Sequence, residues 1–195
     1  MKKFELTSEF ITNIFGTKLF RIKALIEFGN VKAGELGGFV EKEENLSQDG
    51  NAWVYDSARV YDNARVCGDA RVYGNACVYD NARVCDNARV YGNAWVYGNA
   101  CVCGDACVCG DARVCGDACV YGDAGYATVH GFGSEYRTTT FFKTKAGDIG
   151  VKCGCFYGNL SEFRKKVVET HGETKKAKEY LMLADLMEFR FSDNS

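Results

Sequence analysis

Apolar and polar positions alternate on a strict six-residue period through the middle of the chain. Alanine stands at 52, 58, 64, 70, 76, 82, 88, 94, 100, 106, 112, 118 and 124, and valine at 54, 60, 66, 72, 78, 84, 90, 96, 102, 108, 114 and 120. Gly or Asp stands two residues before each alanine, and Asn, Asp or once Ser stands directly before it. The unit is therefore Ala-x-Val-(Tyr/Cys)-(Gly/Asp)-(Asn/Asp). Alternation puts Ala and Val on one face of a short strand, and the polar pair supplies the turn that ends it. One such unit cannot bury its own apolar face. Three units in a triangular coil can, with coils stacked about 4.8 Å apart.

A second periodicity points to the three-sided coil. At 18 residues per turn, positions 55, 73 and 91 share one face, 61, 79 and 97 the next, and 67, 85 and 103 the third. The first two columns are all Tyr and the third is all Cys. The predicted fold is mainly β: a triangular parallel β-helix of about four coils over residues 50–124. A β-rich N-terminal cap covers 1–49, and a C-terminal β-hairpin with two helices covers 125–195.

In the flanks, Lys18 to Leu25 alternates like a strand, with Phe4 to Leu6 as its partner. Segments 34–41 and 45–53 lead into the first repeat and cover the open end that a solenoid has to close. Residues 138–145 and 149–156 read as a hairpin around Ala146, Gly147 and Asp148, with Cys153 and Cys155 in its second strand facing the same way. Ser161, with Arg164 three later, marks a helix start, and Gly172 its stop. Tyr180, Leu181, Leu183, Ala184, Leu186, Met187 and Phe191 give a second helix an apolar stripe. This unit is expected to pack on the last coil or on a second copy of the chain.

Composition narrows the functional classes. Net charge is −2, so there is no strong pull toward nucleic acid or membrane. No apolar run approaches the ~18 residues of a membrane helix, and the start Met1-Lys2-Lys3-Phe4-Glu5 lacks a signal peptide's apolar stretch. A cytoplasmic protein is expected. Nine of the eleven cysteines occupy repeat slots where Tyr, Arg or Trp also stand, which favours free thiols over a disulfide framework.

The Ala-x-Val period resembles the hexapeptide repeat of left-handed parallel β-helices, with one departure. That pattern has Gly directly after the aliphatic position, where this chain has Tyr or Cys. More of the chain resembles a group of phage and prophage proteins often labelled hexapeptide transferases or polymer-forming proteins. The matching stretches are Phe20 to Leu25, Leu36-Gly-Gly38, Asn45-Leu-Ser47, the repeats, Cys153 to Phe156 and Glu169 to Gly172.

The residues of the repeat decide between several chemistries. Hexapeptide acyltransferases use a His presented by a coil or loop, but the repeats hold no His and no Lys, leaving only His130 and His171 outside them. Three-His zinc sites need more than the two His present. Cys67, Cys85 and Cys103, with Cys101 over Cys119 and Cys107 beside Cys109, read as packed small side chains rather than metal ligands. The Arg65/Arg83 and Arg71/Arg89 ladders are outweighed for nucleic acid, because the repeats carry six Arg against nine Asp. No cofactor, no metal and no catalytic residue is expected.

The binding surface is expected on the aromatic columns: Tyr55, Tyr73 and Tyr91, then Tyr61, Tyr79 and Tyr97, with Trp53 and Trp95 in neighbouring outward slots and Arg71 and Arg89 beside them. Together with the phage resemblance, this reads as a non-enzymatic homo-oligomer, dimer or trimer, that binds and inhibits a host protein such as an antiviral defence component, in the manner of an anti-CRISPR. The alternatives are a hexapeptide acyltransferase and a self-assembling scaffold.

Overall fold

The computed structural model describes residues 2–133, 135 and 137–192. Twelve two-residue rungs, β4 (Trp53–Val54) to β15 (Cys119–Val120), recur every six residues. Rungs 18 residues apart pair in parallel and in register, Val54 on Val72 and Val78 on Val96, so the rod has three sheets around one core. Every repeat Ala and Val from Ala52 to Val120 is buried. Each coil donates its N–H groups to carbonyls of the next: Trp53 to Ala70 at 3.0 Å, Tyr55 to Val72 at 2.8 Å, Arg71 to Ala88 at 2.9 Å.

The corners explain the polar pair of the repeat. Its first position is left-handed, with φ of 53 to 58° at Asp56, Asp62, Asp80 and Asp86. Gly enters that region freely, and Asp tolerates it because its short side chain bonds locally. Here the carboxylate reaches the coil above: Asp80 Oδ2 accepts the Gly98 N–H at 3.0 Å, and Asp86 Oδ2 that of Gly104 at 3.0 Å. The second position forms amide ladders. Asn63 donates to Asn81, Asn81 to Asn99, and Asn99 to Asp117, at 3.3, 3.3 and 3.2 Å. An amide both donates and accepts, so it can continue a ladder, and a carboxylate that only accepts can end one.

The rod makes about five turns, one more than the repeats predict. Strands β1 (Phe4–Thr12), β2 (Lys18–Ala24) and β3 (Leu36–Val40) form an antiparallel meander, and β3 then lies parallel on Arg59–Val60. Val40 sits under Val60 and Leu46 under Val66. This level escapes the six-residue pattern because the corner from Leu46 to Val54 is two residues longer than the others. Gly37 and Gly38 let it close: a Cβ would lie 2.6 Å from the Val54 carbonyl oxygen and 2.7 Å from that of Ala58, respectively. Asn45, fully buried, donates to the carbonyls of Asp62 and Ala64 at 3.1 and 2.9 Å.

The two ends of the rod are polar in opposite senses, and each is closed by matching groups. Carbonyls of the first turn have no coil below them. The Lys3 ammonium, 2% exposed, donates to Ala52, Gly50 and Asp49 at 3.1, 3.3 and 3.5 Å, and desolvation lowers its pKa to about 8. N–H groups of the last turn have no coil above them. Asp123 Oδ1 takes that of Cys107 at 2.9 Å, the Tyr126 hydroxyl that of Cys109 at 3.3 Å, and Thr140 Oγ1 that of Arg113 at 3.0 Å.

The C-terminal unit is a four-stranded antiparallel sheet of β16 (Tyr126–Val129), β17 (Thr139–Lys143), β18 (Ile149–Cys153) and β19 (Phe156–Asn159), followed by helices α1 (Leu160–His171) and α2 (Lys175–Phe191). Phe142 plugs the rod core, while Phe141, on the opposite face of β17, packs against the helices. Three expectations are corrected. The α1 cap is Asn159, in a reciprocal box with Glu162, because β19 runs directly into the helix. Cys155 lies in the tight β18–β19 turn and is exposed, so it does not share the strand face of Cys153. Leu186 is 54% exposed, on the outer side of α2 with Met182 and Phe189.

The corner geometry yields a stability test at Asp80. Asp80→Ala should lose the bond to Gly98 and keep a side chain in the left-handed region, costing about 2–4 kcal/mol. Asp80→Gly loses only the bond and should cost about 1 kcal/mol less than the alanine variant. Urea denaturation midpoints give the order, and equal costs would contradict this account.

Candidate functional site

The ten predicted residues fall on two faces of the prism. Tyr55, Tyr73 and Tyr91 run up one face with Trp53, Arg71 and Arg89 in the adjoining column; Tyr61, Tyr79 and Tyr97 run up the next with Trp95. Tyr73 and Tyr91 are parallel, with centroids 4.9 Å apart, and the rings of Tyr61, Tyr79 and Tyr97 follow at 5.1 and 5.0 Å. In-register parallel coils bring like side chains within stacking distance at every turn.

Trp53 does not line the surface. It is fully buried, edge-on to Phe4 at 6.2 Å and to Phe28 at 5.3 Å, because the N-terminal segment folds across its outward slot. Its indole N–H has no acceptor among the described residues. Tyr61 is likewise covered, by Leu19 and Phe39. Trp95 remains 38% exposed under the Arg113 guanidinium, 5.1 Å from the ring centroid.

The face of Tyr55, Tyr73 and Tyr91 is the floor of a trough. Toward its lower end Asn30 overhangs a cavity of about 410 Å³ lined by Tyr55, Asp56, Arg71, Tyr73 and Arg89. Toward its upper end Leu186, Phe189 and Arg190 of α2 wall a cavity of about 760 Å³ whose floor includes Tyr91, Cys107 and Cys109. In the last turn the columns exchange residues: Cys109 and Cys115 follow the tyrosines, and Tyr121 follows the cysteines. The small thiol at 109 makes room for Tyr126, whose hydroxyl lies 3.7 Å from its sulfur.

Phenols on both faces hold their protons tightly. Burial raises the pKa of Tyr55 and Tyr73 and pushes Tyr79 up to about 12; it is also the main cause of the rise at Tyr61 and Tyr97. At Tyr91 the hydrogen bond with the Cys107 thiol, 3.4 Å away, is the chief cause of the rise. On the third face Cys67 and Cys85 bring their sulfurs to 2.6 Å, and Cys85 is pushed up to about 12, first by desolvation and then by that contact.

Sequence reasoning missed the residues that wall the trough. Asn30, Leu186 and Phe189 carry no repeat signal; only the helical spacing of Met182, Leu186 and Phe189 hints at an outer stripe. A separate cavity of about 260 Å³ in the C-terminal unit joins the two motifs singled out there, since Cys153 to Phe156 and Thr170 with His171 both line it. Cys153 accepts a hydrogen bond from Thr139 at 3.2 Å, and His171 packs on the Tyr180 ring at 5.8 Å. His130 is exposed, with Nδ1 3.1 Å from Thr138 Oγ1. Among the described residues no three His, Cys, Asp or Glu side chains are grouped as metal ligands, and no helix is long and apolar enough to cross a membrane.

A three-sided parallel coil on a six-residue period, with its aromatic columns, defines the rod as a hexapeptide-repeat β-solenoid. The family model described as the YdcK β-solenoid repeat matches residues 58–72, 64–80, 70–86 and 82–98. The curated protein described as uncharacterized acetyltransferase YdcK, of Escherichia coli (strain K12), is 40% identical over 63 residues, which cover 29% of this chain and 19% of that protein. The match thus spans about a fifth of the relative's length.

The phenol shifts carry a pH dependence. A folded-state pKa above the unfolded value of 10.0 gives stability that is complete below pH 10 and is lost as pH rises through the folded value, about 12 for Tyr79. Tyrosinate absorbance should therefore appear later for the folded chain than in denaturant, with unfolding between pH 10 and about 12. Coincident titration curves would remove the stacked, desolvated columns from the account.

Proposed function

We propose that the protein is a non-catalytic binding protein whose working surface is the tyrosine trough. The observation that carries this reading is the shared floor: Tyr55, Tyr73 and Tyr91 with Arg71 and Arg89 run between an overhang at Asn30 and the exposed apolar side of α2. Stacking pre-orders that floor, so little side-chain entropy remains to be lost on binding. Tyr and Arg are the residues that most often carry binding energy at protein interfaces. With the resemblance of the flanking motifs to phage proteins, the partner proposed is a host protein, in the class of antiviral defence components, which the bound chain inhibits. A dimer or trimer is proposed for the chain itself, because each rod end is already closed and an open polymer would have to displace Lys3 or Asp123.

The second reading is an acetyltransferase, favoured by the name of the YdcK relative. Against it, the matched stretch 58–98 contains no His and no Lys, so a general base would have to come from His130 or His171 outside it.

Affinity capture from phage-infected bacterial cells separates the readings. A protein partner should be retained by the native chain and lost by Tyr73→Ser and by Phe189→Ser, with both variants keeping the native circular dichroism spectrum. Retention by both variants would take the trough out of the interaction. Acetyl-coenzyme A should neither shift the melting midpoint nor be consumed; turnover that falls with His130→Ala or His171→Ala would establish the transferase instead. Light scattering should show a discrete dimer or trimer.

A further inference from the structure

The strongest unexplained feature of the trough is a pair of arginines. Arg71 and Arg89 sit directly opposite each other on parallel rungs, in register, so their Cα atoms are about 4.8 Å apart. Like charges placed directly opposite across a sheet destabilise it. No acidic side chain lies within ion-pair distance of either guanidinium among the described residues. The carboxylate that lines the same cleft, Asp56, is turned to the backbone, where its Oδ2 accepts the Gly74 N–H at 3.1 Å.

A second in-register pair, Arg65 and Arg83, shows what is particular here. Both of those side chains are exposed beside the Cys67 and Cys85 column, where water screens their charges. Arg71 is instead half-buried, and with the exposed Arg89 it borders the 410 Å³ cleft, whose other walls are Tyr55, Tyr73, Asn30 and Asp56. Tyr55 is turned 88° to Tyr73, at 6.4 Å, whereas Tyr73 and Tyr91 lie parallel. The column's continuous stack therefore breaks at the level of the cleft and leaves a ring turned across it.

We propose that this cleft, between Asn30, Tyr55, Tyr73, Arg71 and Arg89, is a binding site for a small organic phosphate of the size of a nucleoside monophosphate. Two adjacent guanidiniums present forked donors that match phosphate oxygens, and the anion neutralises their mutual repulsion. Tyr55 and Tyr73 supply aromatic surface for a planar base. The volume suits one nucleotide, at the lower end of the range for small-molecule pockets. The charge of the rod excludes a longer strand, since nine Asp against six Arg between residues 50 and 124 repel a polyanion. The site goes beyond the protein-binding reading and stands independently of it.

Isothermal titration of the full chain at low salt tests it, with adenosine 5′-monophosphate, inorganic phosphate and adenosine as separate probes. The monophosphate should bind saturably and at least tenfold more tightly than either phosphate or adenosine. Arg71→Gln and Arg89→Gln should each weaken it at least tenfold, while Arg65→Gln, on another face, leaves it unchanged. Melting midpoints of the variants no lower than that of the native chain, in the absence of probe, show that the fold is intact. Absence of saturable binding to the native chain, equal affinity for adenosine, or an equal loss with Arg65→Gln would each overturn the proposal. A chain that captures its protein partner yet ignores the monophosphate loses only this site, and the converse result loses only the protein partner.

Discussion

Every coil of the rod must hydrogen-bond upward to the next at a rise of about 4.8 Å, and the rest of the molecule follows from that single constraint. It forces each residue to sit on its equivalent 18 positions later, so a repeated side chain becomes a column along a face. Aromatic columns stack, amide columns become ladders, and arginine columns set like charges against each other. The same constraint dictates the corners. A three-sided coil turns sharply every six residues, and the left-handed residue at each turn has to be Gly or an Asp whose carboxylate reaches the coil above.

Directional hydrogen bonding also leaves the two ends chemically different. Unpaired carbonyls at the bottom call for a donor, supplied by Lys3, and unpaired N–H groups at the top call for acceptors, supplied by Asp123, Tyr126 and Thr140. Burying either set without partners would cost about 1–3 kcal/mol for each group. The end structures are thus plugs matched to the polarity of the rod, and they guard its exposed edges against pairing with other chains.

The plugs also create the candidate site. A bare prism offers flat faces, on which a ligand is poorly enclosed. The N-terminal segment that buries Trp53 and the α2 helix that stands beyond Tyr91 overhang the same face from opposite ends and turn it into a trough. Binding residues therefore come from two sources: a floor repeated along the rod, and walls that occur once. The exchange of Tyr for Cys at position 109 belongs to the junction between them, where a smaller side chain admits Tyr126.

Local periodicity by itself determined the coil, its three faces, the buried Ala and Val, and the membership of each Tyr and Cys column, because in a solenoid sequence separation maps directly onto height and face. Only the tertiary structure decided the rest. The extra first turn is invisible to a six-residue search, since its long corner shifts the offset to 20 residues. Trp53 follows the outward pattern faithfully and is buried all the same, because a segment nearly fifty residues earlier in the chain packs over it. Leu186 reads as part of the apolar stripe of α2, and Phe189 carries no signal, until α2 is laid against the rod and both wall the trough. Short-range pattern specifies what repeats; which parts of the repeated surface stay open depends on contacts between distant segments, and those are fixed by the packing of the ends.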